Sequence, residues 1–297
     1  MPAVFEVRSS EARGILSRTS GFIAESGFTH SLTPARNCTY GCTYCYVPTM
    51  GLYGGLQQED WRRWGQFTTF KENAAGLLAR QLKATQRIYC SPLVDPYQPA
   101  EEQAPHMPAI LEALLEKPPA VFVIQTRGPG ILRDKHPLQA LARRTILRVS
   151  FSITTNRDEV RRLFEPHCPS FEERLDTVRA LCAAGIETYA TLAPLLPCDP
   201  EILALAAIEA TGRDLIGDPL HVRAVKRHGA TTREAAFRIC EKNGYDDWLE
   251  PGFQAETVAR IRVAARALGK DFVTGPEGFS QLARVDSTNE ELLRSSS

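Results

Sequence analysis

The stretch Cys38-Thr39-Tyr40-Gly41-Cys42-Thr43-Tyr44-Cys45-Tyr46 decides how this chain is read, because it gathers three thiols in one short loop and no fourth. Thiolates hold iron–sulfur clusters with one protein ligand per iron, so three cysteines bind three irons of a cubane and leave the last for an exogenous ligand. An open iron is a place for chemistry. Structural zinc, a first alternative, wants four ligands in paired knuckles, whereas Cys90, Cys168, Cys182, Cys198 and Cys240 are scattered singly. Unligated thiols are a second alternative. A disulfide framework does not fit, since a chain of 297 residues needs no staples and its start shows no signal-peptide pattern.

Outward from the loop, short β-rich runs alternate with amphipathic ones, the pattern of parallel βαβ units. Strands are expected over 28–32, 87–90, 121–125, 147–153 and 186–192. Helices are expected from an Asn73 cap onward and over 109–116, 138–144, 171–184 and 200–210, with Gly185 ending the fourth of these. Further helices are expected over 232–242 and 255–268. The division that follows is a loosely packed leader (1–27), a barrel-like core (28–225) and a C-terminal helical extension (226–297). Such barrels carry their working residues at the C-terminal ends of the strands. That rule puts the cysteine loop, Cys90 to Asp95, Thr126-Arg127, Ser152-Ile153-Thr154 and Ala193-Pro194 around one mouth.

Charge excludes little. Lys plus Arg and Asp plus Glu each number 35, so no global field favours a polyanionic partner. Between Arg127 and Arg162, however, Arg127, Arg133, Lys135, Arg143, Arg144, Arg148, Arg157, Arg161 and Arg162 face only Asp134, Asp158 and Glu159. Such a strip tracks phosphates or forms solvated helix faces, and the second reading is preferred. No apolar run is long enough for a bilayer, so a soluble cytoplasmic protein without membrane partners is expected. His106, His136, His167, His221 and His228 show no ligand spacing.

The three-cysteine loop, with an aromatic before its last thiol, resembles the signature of radical S-adenosylmethionine enzymes. Val94-Asp95-Pro96-Tyr97-Gln98-Pro99-Ala100-Glu101, Thr126-Arg127, Ser150-Phe151-Ser152-Ile153-Thr154-Thr155, Phe164-Glu165-Pro166, Arg174-Leu175 and Ala184-Gly185-Ile186 narrow this. In this order they resemble the spore photoproduct lyase-like, or DNA repair photolyase-like, branch over about 28–200. The resemblance implies an α/β fold, a partial (β/α)6 TIM-like barrel. It implies a [4Fe-4S] cluster on Cys38, Cys42 and Cys45, with S-adenosylmethionine at the open iron. An external one-electron reductant of flavodoxin or ferredoxin type drives cleavage to a 5′-deoxyadenosyl radical, which abstracts a substrate hydrogen. The protein's share is to position the reacting atoms and exclude water.

By position, Tyr44, Thr126, Arg127, Ser152 and Thr154 match residues that hold the cofactor in that branch. The lyase has a lysine where Arg127 stands, so carboxylate pairing here has different geometry. Tyr44 and Tyr46 match its hydrogen-relay tyrosines. Cys90 lies near its hydrogen-donor cysteine but at another offset from Asp95; a buried small hydrophobe is the commoner fate of such a thiol. Glu165 and Arg174 are expected as a structural pair. Lesion-bearing DNA is one substrate expectation, with Trp61, Trp64 and Phe67 as wedge candidates. A peptide, modified nucleoside or small metabolite is the other and ranks slightly above it, because a shared barrel says little about substrate. The non-enzymatic alternative is an iron–sulfur electron carrier or redox-sensing module, against which the three-ligand count argues.

Overall fold

The computed structural model describes residues 4–49, 62–221, 225–226, 229–230 and 232–285. Trp61 and His228 lie outside them. Among the described residues thirteen strands carry the topology: β1 Glu6–Ser10, β2 Leu16–Arg18, β3 His30–Leu32, β4 Ala35–Arg36, β5 Phe67–Lys71, β6 Arg87–Cys90, β7 Val121–Thr126, β8 Ile146–Ser152, β9 Glu187–Leu195, β10 Leu215–Pro219, β11 Val225–Lys226, β12 Gly229–Ala230 and β13 Phe272–Thr274. The main sheet runs β13-β10-β9-β8-β7-β6-β3-β2. From β3 to β13 every neighbour is parallel, and β2 joins β3 antiparallel. β3 and β6 to β10 thus form the six-stranded parallel core of a partial TIM-like barrel, open at its edges. A small sheet, β1-β5-β4, stands beside it.

Segment 1–27 supplies β1, β2 and a short helix, Gly21–Glu25, while 226–297 supplies edge strand β13 as well as helices. Asn73 sits at the N-cap of helix Ala74–Gln81 but does not cap it with its side chain. Its amide instead accepts from Ala12 N–H at 3.0 Å and donates to Ala12 O at 2.9 Å, tying the first segment down. Helix Phe171–Ala183 opens with a Ser170/Glu173 capping box and is followed by Gly185 at φ +75°, a conformation that suits glycine.

Alternation along each strand separates two cores. On the helix-covered face Ile88, Cys90, Phe122, Ile124, Val149 and Phe151 join the large cluster. On the opposite face Tyr89, Val121, Val123 and Ile216 pack with Phe28 and with Phe279 and Leu282 of the last described helix, Gly275–Ala283. Arg148 anchors that helix: its guanidinium donates to the carbonyls of Leu282 (3.0 Å) and Arg284 (2.7 Å) and pairs with Glu187 at 3.1 Å. Much of the basic strip is spent in this way. Arg133 pairs with Glu101 and Asp134, Arg157 with Glu159, and Arg161 and Arg162 with Asp158.

Candidate active site at the cysteine loop

The loop after β4 is held by the motifs that follow it in sequence. Asn37, in the left-handed region at φ +64°, turns its Oδ1 back to accept from Cys38 N–H at 2.8 Å. Thr39 N–H donates to Gln98 Oε1 at 2.7 Å, and Tyr40 O–H donates to the Tyr97 carbonyl at 3.0 Å. Thr43 N–H donates to the Phe164 carbonyl at 2.9 Å. Gly41 and Gly65, at φ +64° and +90°, meet backbone to backbone, and a Cβ on Gly65 would stand 2.6 Å from the Gly41 Cα. The Asp95 to Pro99 and Phe164 to Pro166 segments therefore buttress the loop.

Beside it opens a cavity of about 640 Å³. Its wall brings together Cys38, Cys42, Cys45, Tyr44, Tyr46 and Arg127. Gln125 lies deeper, its Oε1 accepting from Tyr89 O–H and Ser150 Oγ, both at 2.6 Å. Ser150 in turn meets Thr191 Oγ1 at 2.5 Å. With its oxygen so engaged, the Gln125 amide group has its N–H donors left for the cavity. Tyr46 donates its O–H to the Pro92 carbonyl at 2.7 Å.

Charge concentrates at one side of this wall. Glu165, with no exposed side-chain surface, pairs with Arg127 and Arg174 and accepts from Tyr44 O–H at 2.5 Å. Burial would raise its carboxyl, but Arg174 and Arg127 hold it down at about 2. Arg127 also reaches the Tyr44 hydroxyl and, at 3.5 Å, Cys42 Sγ. Burial pushes the Cys38 thiol well up and Cys45 to about 12, whereas the Cys168 thiol and then Arg127 bring Cys42 below the ordinary cysteine value.

Four sequence-selected residues stand back from the cavity wall. Thr126 donates to Asp95 Oδ1 at 2.6 Å, while Asp95 Oδ2 accepts from Arg127 N–H at 2.8 Å, so this pair fixes where Arg127 starts. Arg174 donates to the Ser152 carbonyl and to Thr154 Oγ1, both at 3.3 Å, so these two support the Glu165 network from behind. Cys90 is fully buried on the helix-covered face, one strand position from Tyr89, which lines the cavity. The Glu165–Arg174 pair is present and extends to Arg127 and Tyr44, farther than a structural pair alone. Cys168, which sequence gave no reason to join to the loop, has its Sγ 3.8 Å from Cys42 Sγ. Among the described residues Cys42, Glu165 and Cys168 form a group of potential ligand atoms within 4.8 Å of one another. Two guanidiniums already saturate the carboxylate, so this group repels a lone cation.

The loop does suit an iron–sulfur cluster. Three free thiols share one cavity wall. Next to them Asn37 Nδ2 and Trp64 Nε1 are buried donors without a partner among the described residues, groups that a sulfide-rich acceptor satisfies.

A parallel partial barrel with a three-thiol loop over the ends of its strands defines a class, the radical enzymes that work through S-adenosylmethionine. Residues 32–201, more than half the chain, match the radical SAM superfamily, and the protein belongs to it. Its cofactors are accordingly a [4Fe-4S] cluster and S-adenosylmethionine. A Mycobacterium tuberculosis H37Rv protein described as uncharacterized is 27% identical over 88% of this chain and 82% of its own length. An uncharacterized Methanocaldococcus jannaschii protein is 28% identical over 54% of this chain, which spans 58% of that relative. Among solved structures, a spore photoproduct lyase mutant superposes with a TM-score of 0.59 at 15% identity, covering 90% of this chain and 81% of the lyase. Another, with bound AdoMet and a dinucleoside spore photoproduct, gives 0.54 at 18% identity over 80% of this chain and 65% of that one. At these identities the likeness is one of fold.

Proposed function

We propose that Cys38, Cys42 and Cys45 hold the cluster, that Arg127 and Tyr44 help seat S-adenosylmethionine, and that the catalytic unit lies within 28–225, abstracting hydrogen from a compact substrate. The observation that carries this reading is the convergence of Cys38, Cys42, Cys45, Tyr44, Tyr46 and Arg127 on a single cavity. When bound, the reduced cluster supplies the electron that cleaves the sulfonium bond and so yields a 5′-deoxyadenosyl radical.

The chain's own residues do the positioning. Glu165, clamped by Arg174, fixes the Arg127 guanidinium through Nη1, and its other N–H groups, unpaired among the described residues, can pair with a carboxylate. Thr126, Ser152 and Thr154 act behind these groups through Asp95 and Arg174. Tyr44 is committed to Glu165, which leaves Tyr46 at the cavity edge as the residue for relaying a hydrogen atom. Cys90 takes no part in this relay because it is fully buried in the core and does not line the cavity. The apolar neighbours Phe22, Ile23 and Phe279 help to exclude water.

For substrate we favour a nucleoside, peptide or small metabolite over a DNA photoproduct, because much of the basic strip pairs internally. The lyase-like fold keeps lesion repair as the second reading. Radical SAM enzymes draw their electron from an external reductant, here proposed as a flavodoxin or ferredoxin in the cytoplasm. Among the described residues no helix is long and apolar enough to cross a membrane.

Anaerobic reconstitution, reduction with dithionite and quantification of 5′-deoxyadenosine test the reading, with Cys42→Ala as control. Product from the parent alone is expected. A fully loaded parent that never cleaves S-adenosylmethionine, with or without candidate substrates, leaves the electron-carrier reading instead. Product stimulated by dinucleoside photoproducts but by no other candidate moves the substrate to DNA.

A further inference from the structure

Cys42 differs from the other two loop thiols in what surrounds its sulfur. The Arg127 guanidinium approaches to 3.5 Å and the Cys168 thiol to 3.8 Å. Both cysteines are buried, 8% and 5% exposed, so neither contact is diluted by water. The place of Cys168 is fixed at both ends of its backbone: its N–H donates to the Glu165 carbonyl at 3.1 Å, and its carbonyl accepts from Arg161 at 2.9 Å. A sulfur this well located, with no bond of its own elsewhere among the described residues, is aimed at one neighbour.

We infer that Cys168 is a positioning residue for the cluster: its S–H donates a hydrogen bond to the Cys42 sulfur and raises the cluster's reduction potential. The inference rests on Cys42 being a ligand, as proposed above. A metal-bound Cys42 is a thiolate with no proton to give, so Cys168 is the donor. Reduction adds one negative charge to the cluster and its ligand sulfurs. A donor at one of those sulfurs stabilises the reduced form more than the oxidised form, which is how hydrogen bonds set iron–sulfur potentials. Arg127 acts on the same sulfur from another side, so Cys42 is the point at which the protein biases the cluster toward accepting its electron. Arg127 is also committed to Glu165 and Tyr44, whereas among the described residues the Cys168 thiol meets Cys42 alone.

The test is the midpoint potential of the anaerobically reconstituted protein without S-adenosylmethionine, read by electron paramagnetic resonance through a mediator titration. Parent, Cys168→Ala and Cys168→Ser are compared. Cys168→Ala is expected to shift the midpoint to more negative values, by up to about tenfold in the reduction equilibrium, which for one electron is about 59 mV. Cys168→Ser, which keeps a donor, is expected to recover at least half of the shift. A midpoint does not depend on the fraction of protein loaded, so partial loss of cluster leaves the result readable. An unchanged midpoint in Cys168→Ala, or equal shifts in both variants, overturns the inference. Failure of the underlying site shows differently: a Cys42→Ala protein that still loads a full cluster refutes Cys42 as ligand, and the inference falls with it.

Discussion

The two faces of strands β6 to β9 do opposite work. Toward the helices, Cys90, Phe122, Ile124, Val149 and Phe151 form an apolar layer whose contribution is burial. Toward the cavity, Tyr89, Gln125, Ser150 and Thr191 form a hydrogen-bonded row one residue out of step with it. The lesson is that neighbouring residues on one strand belong to different functions, so a chemically suggestive residue counts only after its face is known.

The largest expected blow to this contrast falls on the apolar side. Phe151→Ala, at a position with no exposed surface, is expected to cost about 3–5 kcal/mol in chemical unfolding, while the molecules that remain folded still cleave S-adenosylmethionine. Loss of cleavage at full stability would put Phe151 on the functional side instead.

A titratable group behind the apolar layer sharpens it further. Burial pushes Glu101 up to about 7, from an ordinary 4.5, against the pull of the Met107 and His106 amides and Arg133. The folded state therefore holds a proton that the unfolded chain releases between those values. Its contribution is full below pH 4.5 and is lost as pH rises through about 7, a change of roughly 3 kcal/mol. Urea unfolding at pH 5 and pH 8 is expected to show this loss in the parent and a flattened dependence in Glu101→Gln. A slope of the opposite sign would mean the carboxylate is stabilised as the anion.

The finest test compares adjacent residues of one strand. Cys90→Ala and Tyr89→Phe are each expected to cost about 1 kcal/mol, the first through lost packing and the second through one hydrogen bond. Only Tyr89→Phe is expected to change substrate turnover; equal effects on turnover would erase the distinction between the faces.

The parallel barrel and the three-cysteine loop are legible from sequence because their signals are local: alternating apolar periods and a fixed thiol spacing. The Asp95 to Pro99 segment was legible as a rigid loop, though not as the buttress that Gln98 and Tyr97 make of it. Side-chain direction at strand ends was not legible: β6 spans the expected 87–90, yet a rule that places strand ends at the mouth does not say which face a terminal residue takes, and Cys90 packs into the core beside cavity-lining Tyr89. The meeting of Cys42 with Cys168 had no signal, being a contact across 126 positions made by a turn. Neither reading of the basic strip foresaw buried Arg148, since charge counting along a sequence cannot see the carbonyls and the carboxylate that it meets through folding. Strand β13 has only three residues, and β10, Leu215–Pro219, ends in Gly217-Asp218-Pro219, which reads as a turn, so neither carries a clear strand signal.

The contact between Gly41 and Gly65 bears on transplantation. Because a single methyl at 65 would collide with the backbone at 41, the cysteine loop and the turn before β5 are one fitted part, though sequence separates them. An engineer who grafts 38–46 onto another barrel carries the ligands but leaves behind the surface on which they are seated. A lineage that altered residue 65 would meet the same obstacle, with every cysteine still in place.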